Sequence, residues 1–129
     1  MSEALTPWDA IRRVRVIRTF ADRPIPDEAI ERIVDAGRHA GSSKNQQRWD
    51  FIVIRDRSLL TSLGEVGAYA GHLAGATVAV ALVTPGSRTA AASPSVMWDL
   101  GRAAQNMVLA AWELEIGRAS CRERVCQYV

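Results

Sequence analysis

Cysteine is missing from residues 1–115, because both cysteines of the chain, Cys121 and Cys126, lie beyond that point. A disulfide framework and a thiolate metal site are therefore excluded from most of the chain, and a reducing, cytoplasmic setting is expected. The familiar catalytic signatures are missing too. No glycine-rich dinucleotide fingerprint joins a strand to a helix, and there is no phosphate loop with its lysine, no nucleophile elbow and no paired metal-ligand spacing. His39 and His72 stand alone and are expected to be surface or structural histidines. No metal site and no catalytic side chain is predicted, which still leaves room for an enzyme whose chemistry belongs to a bound cofactor.

Met1-Ser2-Glu3-Ala4-Leu5 has no basic stretch leading into an apolar one, so a secretory signal is not expected. The longest apolar helix candidate, 96–115, is broken by Asp99, Arg102, Gln105 and Asn106, which argues against a membrane span. The net charge of +2 does not point to nucleic acid. Residues 1–115 carry thirteen basic and thirteen acidic side chains, and the excess comes from Arg118, Arg122 and Arg124 against Glu123.

The composition, 48% hydrophobic and 23% charged over 129 residues, is that of one globular domain. Thr6-Pro7-Trp8-Asp9 reads as a capping box with proline at the first helical position, opening a helix expected to reach about Thr19. Arg23-Pro24-Ile25-Pro26 should be extended. Asp27 opens a second helix with Ile30, Ile33, Val34 and Gly37 on one face. Residues 40–48 read as a loop, 49–54 as a strand, 58–63 as a short helix, and 75–83 as a strand covered on both faces. Pro85 to Pro94 should be an exposed loop, after which Ser95 is expected to cap a long helix so apolar that most of its sides should be buried, either in the centre of the fold or at a subunit interface. The order of elements gives an α+β fold, an α/β sandwich with a central sheet flanked by helices.

Two segments are candidates to carry chemistry, although by itself the first reads more readily as a solvated helix face and the second as an ordinary polar turn. Arg12-Arg13-Val14-Arg15-Val16-Ile17-Arg18 concentrates guanidinium groups, whose planar forks suit a phosphate. Gly41-Ser42-Ser43-Lys44-Asn45-Gln46-Gln47-Arg48-Trp49 leads into a strand with small hydroxyl and amide side chains. Those suit the edge and face of a flat heteroaromatic ring.

In four places the sequence resembles the FMN-dependent nitroreductases. Arg15, Arg18 and Phe20 match that family's arginine run, and Pro24 and Pro26 match its Pro-x-Pro approach to a helix. Ser42, Ser43, Asn45, Gln47 and Trp49 match its loop before a strand, while Asp99, Gly101, Ala103, Gln105, Asn106, Leu109 and Ala110 match its long helix. The resemblance implies a homodimer formed through the long helix 95–115, with FMN at the interface. It places the phosphate near Arg15 and Arg18 and the ring against Ser42, Ser43, Asn45 and Gln47. It further implies that reducing equivalents pass from NAD(P)H to a nitro, quinone or similar small organic acceptor. The alternative expectation is a non-catalytic dimerisation fragment of the same fold that binds no flavin.

The departures are specific. Val14 and Val16 stand where the family has arginine and serine, and Gly41 and Arg48 where it has prolines, an exchange expected to loosen the loop. Around Tyr69 to His72 no side chain corresponds to the amide that relatives often set against the ring. From Ile116 to Val125 the sequence is unlike the family and resembles read-through of a sequencing adapter. Residues 1–115 are accordingly expected to be the N-terminal part of a nitroreductase-like domain, incomplete at its C-terminus, and 116–129 a non-native tail.

Overall fold

The computed structural model describes residues 5–85 and 94–117. Their order is α1 (Pro7–Arg13), α2 (Asp27–Arg38), a 3-10 turn (Ser43–Asn45), β1 (Asp50–Ile54), α3 (Arg57–Leu63), a second 3-10 turn (Gly71–Gly75), β2 (Ala79–Val83) and α4 (Ser95–Glu113). The fold is α+β, with β1 and β2 antiparallel, Asp50 opposite Val83 and Ile54 opposite Ala79.

The capping box at the start of α1 forms as expected. The Asp9 amide donates to the Thr6 hydroxyl at 3.2 Å, and the Thr6 amide donates to the Asp9 carboxylate at 3.2 Å. The helix stops at Arg13, six residues short of the expected Thr19. Val14, Val16 and Ile17 follow at once, and β-branched side chains lose rotamer freedom in a helix. Arg15 seals the end by donating to the carbonyls of Arg12 (3.2 Å) and Val14 (3.0 Å).

The core lies between α2, α4 and one face of the sheet. Ile33, Met107, Ala110 and Ala111 form its buried centre, and Val34, Ala36, Phe51, Val80 and Leu82 pack round it. Each large side chain covered there contributes roughly 1.5–3 kcal/mol of transfer free energy. Gly37 lets the two helices meet, for a Cβ at that position would lie 2.9 Å from Met107 Cγ and 3.2 Å from Phe51 Cζ. Two polar ties keep α2 and α4 in register: Asn106 donates to the Ala36 carbonyl at 3.2 Å, and Arg32 pairs with Glu113 at 3.0 Å.

At its C-terminus α4 ends in a Schellman arrangement. Glu115 is left-handed (φ 57°), its amide donates to the Trp112 carbonyl, and the Ile116 amide donates back to Ala111 at 2.9 Å. Ile116 packs against the core cluster, although the sequence placed it in the tail. Residues 118–129, the rest of that segment, and most of the loop expected at 85–94 lie outside the described residues.

Two expectations need correction. β2 begins at Ala79 rather than Gly75 and is half-buried along its length instead of covered on both faces. Residues 71–75 form a 3-10 turn, and Arg57 takes the carbonyls of Ala74 and Ala76 that a longer strand would have offered to a neighbour. Ser95 is the first residue of α4 rather than its cap, and its hydroxyl accepts a hydrogen bond from Arg48. Within one chain α4 is covered on one face only. Val96, Asp99, Ala103, Met107, Ala110 and Ala111 are buried, while Trp98 is 77% and Met97 48% exposed.

Candidate functional site

The loop between α2 and β1 has an unusual backbone. Lys44, Asn45 and Gln47 all adopt the left-handed conformation, with φ of 52°, 54° and 51°. Asparagine tolerates this region, but lysine and glutamine do not favour it, and such residues persist only where their surroundings over-determine them. No glycine relieves the run.

Part of that determination is internal. The Gln47 amide donates to the Ser42 hydroxyl at 3.0 Å, and the Gln47 side chain donates to Asn45 Oδ1 at 2.7 Å. The Asn45 and Gln46 amides close back on the carbonyls of Ser42 and Ser43. These bonds leave the Ser43 hydroxyl and the Asn45 amide nitrogen without a hydrogen-bond partner among the described residues, on a loop where Lys44, Asn45 and Gln47 are exposed.

The rest comes from α4. The Ser43 amide donates to Asp99 Oδ2 at 3.0 Å, and Arg48 donates to the Ser95 hydroxyl at 3.0 Å. Arg48, expected to loosen the loop in place of a proline, is thus one of its tethers. Asp99 is 3% exposed and also accepts from Arg102. Burial pushes its carboxyl up, but the Ser43 amide, the Arg102 guanidinium and the charge of Arg48 outweigh that and hold it below its ordinary 3.8.

The arginine run divides in two. Arg12 and Arg13 lie 3.9 and 3.5 Å from Asp9, so their charge is partly spoken for. Arg15 and Arg18 are exposed on the extended segment after α1 and pair with no carboxylate among the described residues. Of the four predicted loop residues, Ser42, Asn45 and Gln47 are therefore joined by mutual hydrogen bonds, while Ser43 is held by Asp99 and by the Gln46 amide on its carbonyl. The two predicted arginines stand on a separate segment, and no hydrogen bond or ion pair joins them to the loop among the described residues. α4 is the common support, touching both α1 and the 3-10 turn.

Asp99 and Arg48 are the site residues that sequence reasoning did not single out. The available signal was a lone carboxylate on the buried stripe of an otherwise apolar helix. His39 is a surface residue bonded to the Asp35 carbonyl at 2.8 Å, as expected. His72 packs edge-on against Phe20, with ring centroids 6.5 Å apart, so it braces the segment that carries Arg18. Among the described residues no group of three or more His, Cys, Asp or Glu side chains is placed to hold a metal ion, and no helix is long and apolar enough to cross a membrane.

The sequence model of the Nitroreductase family matches residues 11–70, which span the arginine run, α2, the loop and β1. A protein of Archaeoglobus fulgidus provisionally named NADH dehydrogenase/NAD(P)H nitroreductase is 39% identical over 105 residues, covering 80% of this chain and 59% of the relative. A protein of the same provisional name from Methanothermobacter thermautotrophicus is 35% identical over 109 residues, 56% of its length. The chain thus spans less than two thirds of these curated relatives. Among solved structures, a provisionally assigned nitroreductase from Desulfovibrio desulfuricans, crystallised with FMN, superposes with a TM-score of 0.82. It is 32% identical, and the match covers 96% of this chain and 73% of that one.

Proposed function

This chain belongs to the nitroreductase family, and from that premise we propose that the protein is a flavin oxidoreductase in which FMN lies against the Ser42–Gln47 loop, with Arg15 and Arg18 at its phosphate. NAD(P)H is the proposed donor and a nitro, quinone or similar small organic molecule the acceptor. The observation that carries the proposal is the left-handed run at Lys44, Asn45 and Gln47, held by Ser42 and by α4 while the Ser43 hydroxyl and the Asn45 side-chain Nδ2 have no partner among the described residues.

The residues present fit such a ligand in two respects. A polar rim such as that of a flavin ring needs nearby donors and acceptors, and the loop carries the Ser43 hydroxyl and the Asn45 side-chain Nδ2, neither with a hydrogen-bond partner among the described residues. A phosphate needs guanidinium groups free of internal carboxylates, which separates Arg15 and Arg18 from Arg12 and Arg13. When bound, FMN supplies the hydride and electron transfer, and the protein supplies binding and orientation.

We further propose that two copies associate through the exposed face of α4, where Trp98 and Met97 are uncovered. A cytoplasmic location fits the cysteine-free run of residues 1–115.

Titration of the purified chain with FMN tests the reading. Binding should quench flavin fluorescence, and FMN at a hundredfold its dissociation constant should stabilise the fold by about 2.7 kcal/mol. A thermal midpoint that does not move at any FMN concentration would overturn it. Arg15→Ala together with Arg18→Ala should weaken FMN more than riboflavin, which has no phosphate.

A further inference from the structure

We infer that Asp99 is a positioning residue that holds the Ser42–Arg48 loop in its left-handed, ligand-accepting shape through the Ser43 amide. The inference rests on the flavin reading only for the identity of what the loop holds.

A carboxylate on the buried stripe of α4, between Val96 and Ala103, is costly unless its oxygens are satisfied. Both are: Oδ2 accepts from the Ser43 amide at 3.0 Å, and Oδ1 accepts from Arg102. Arg102 also lies under the start of the loop, its Nη1 only 3.4 Å from where a Cβ on Gly41 would stand. Ser43 immediately precedes the first left-handed residue, Lys44. The bond is thus placed where the chain enters its strained stretch, and a charge-assisted acceptor is about twice as strong there as a neutral one. Ser42 acts from within the loop on Gln47. Asp99, by contrast, fixes the loop to α4 and so to the core through Ala103 and Met107.

The experiment uses a convenience of the sequence. Lys44 is the only lysine in the chain, so a lysine-specific protease cuts once, inside the loop. Cleavage rates are compared for wild type, Asp99→Ala and Asp99→Asn without FMN, alongside hydrogen exchange at Ser43 and at the core residues Ile33 and Met107. With the acceptor removed, Asp99→Ala should be cut at least about tenfold faster, as expected for loss of a charge-assisted hydrogen bond. Asp99→Asn keeps an oxygen for the Ser43 amide but loses the charge and sets an amide donor against Arg102, so it should be cut faster than wild type and more slowly than Asp99→Ala, by about threefold to either side. Core exchange should change far less than cleavage, and FMN should bind about tenfold more weakly to Asp99→Ala.

Equal cleavage of wild type and Asp99→Ala overturns the inference, as does acceleration matched by the same factor at Ile33 and Met107. Should Asp99→Ala not fold, Asp99→Asn decides: cleavage and Ser43 exchange faster than in wild type, with Ile33 and Met107 unchanged, support the inference, and rates equal to wild type overturn it. The protease arm contains no flavin, so its failure is separable from a failure to bind FMN. If no protein, wild type included, binds FMN while cleavage follows the expected order, the flavin reading falls and the anchor stands.

Discussion

Asp99 shows at the scale of one residue how a charge can be buried to the benefit of the fold. Its carboxyl lies below the ordinary 3.8 in the folded chain, so it binds its proton less readily there than in the unfolded chain. The stability it contributes is therefore fully present above 3.8 and is lost as pH falls through the lower folded value. Asp9 has the same sign, its carboxyl held down first by the Thr6 hydroxyl and then by the Thr6 amide, with Arg13 and Arg12 adding to it. Urea midpoints should accordingly fall on acidification from about pH 5 to about pH 3, and Asp99→Asn, which cannot titrate, should remove part of that slope. Parallel slopes for the two proteins would show that Asp99 is not the group responsible. Little of this was legible beforehand. The loop residues Ser42, Ser43, Asn45 and Gln47 announce themselves by polarity and order, whereas the partner of Asp99 lies 56 residues away and is set by folding.

At the scale of elements, what the sequence could show depended on whether the cause is local. The capping box of α1, the buried stripe of α2 and the start of β1 near Trp49 rest on near neighbours, and they form as read. The early stop of α1 follows from the β-branched Val14, Val16 and Ile17, which oppose continuation of the helix towards Thr19. β2 was misread because Arg57, on another helix, takes the carbonyls of Ala74 and Ala76. The approach of α2 to α4 rests on Gly37, where two effects compete. Alanine would raise the helix propensity of that position by up to about 1 kcal/mol. Its Cβ would also press on Met107 Cγ and Sδ at 2.9 Å and on Phe51 Cζ at 3.2 Å, and overpacking costs about 1–3 kcal/mol. Gly37→Ala should therefore lower stability in urea by about 1–2 kcal/mol. Combining it with Met107→Ala should cost less than the sum of the two single changes, because the second makes room for the first. Strict additivity, or a gain from Gly37→Ala alone, would show that the helices do not meet there as described.

At the scale of the whole molecule, the exposed face of α4 is the feature that calls for a partner. An apolar helix was expected to be buried on most sides, yet within one chain only the stripe from Val96 to Ala111 is covered. Trp98 and Met97 remain open on that helix, and α1 adds Trp8 at 66% and Ile11 at 57% exposure. Large aromatic side chains left uncovered are the kind that anchor protein interfaces, where loss of one tryptophan costs 2 kcal/mol or more. A second copy is the partner proposed here, and the same helix holds the loop through Asp99 and Ser95. Association and flavin retention should then be linked. Trp98→Glu places a charge on that face without disturbing the buried stripe, so it should weaken self-association about thirtyfold or more in sedimentation equilibrium while leaving the far-ultraviolet circular dichroism unchanged. It should weaken FMN binding most at protein concentrations where the variant is monomeric and wild type is not. An unchanged association constant would remove α4 from the interface; a weakened one with unaltered FMN affinity would show that the flavin site is complete within a single chain.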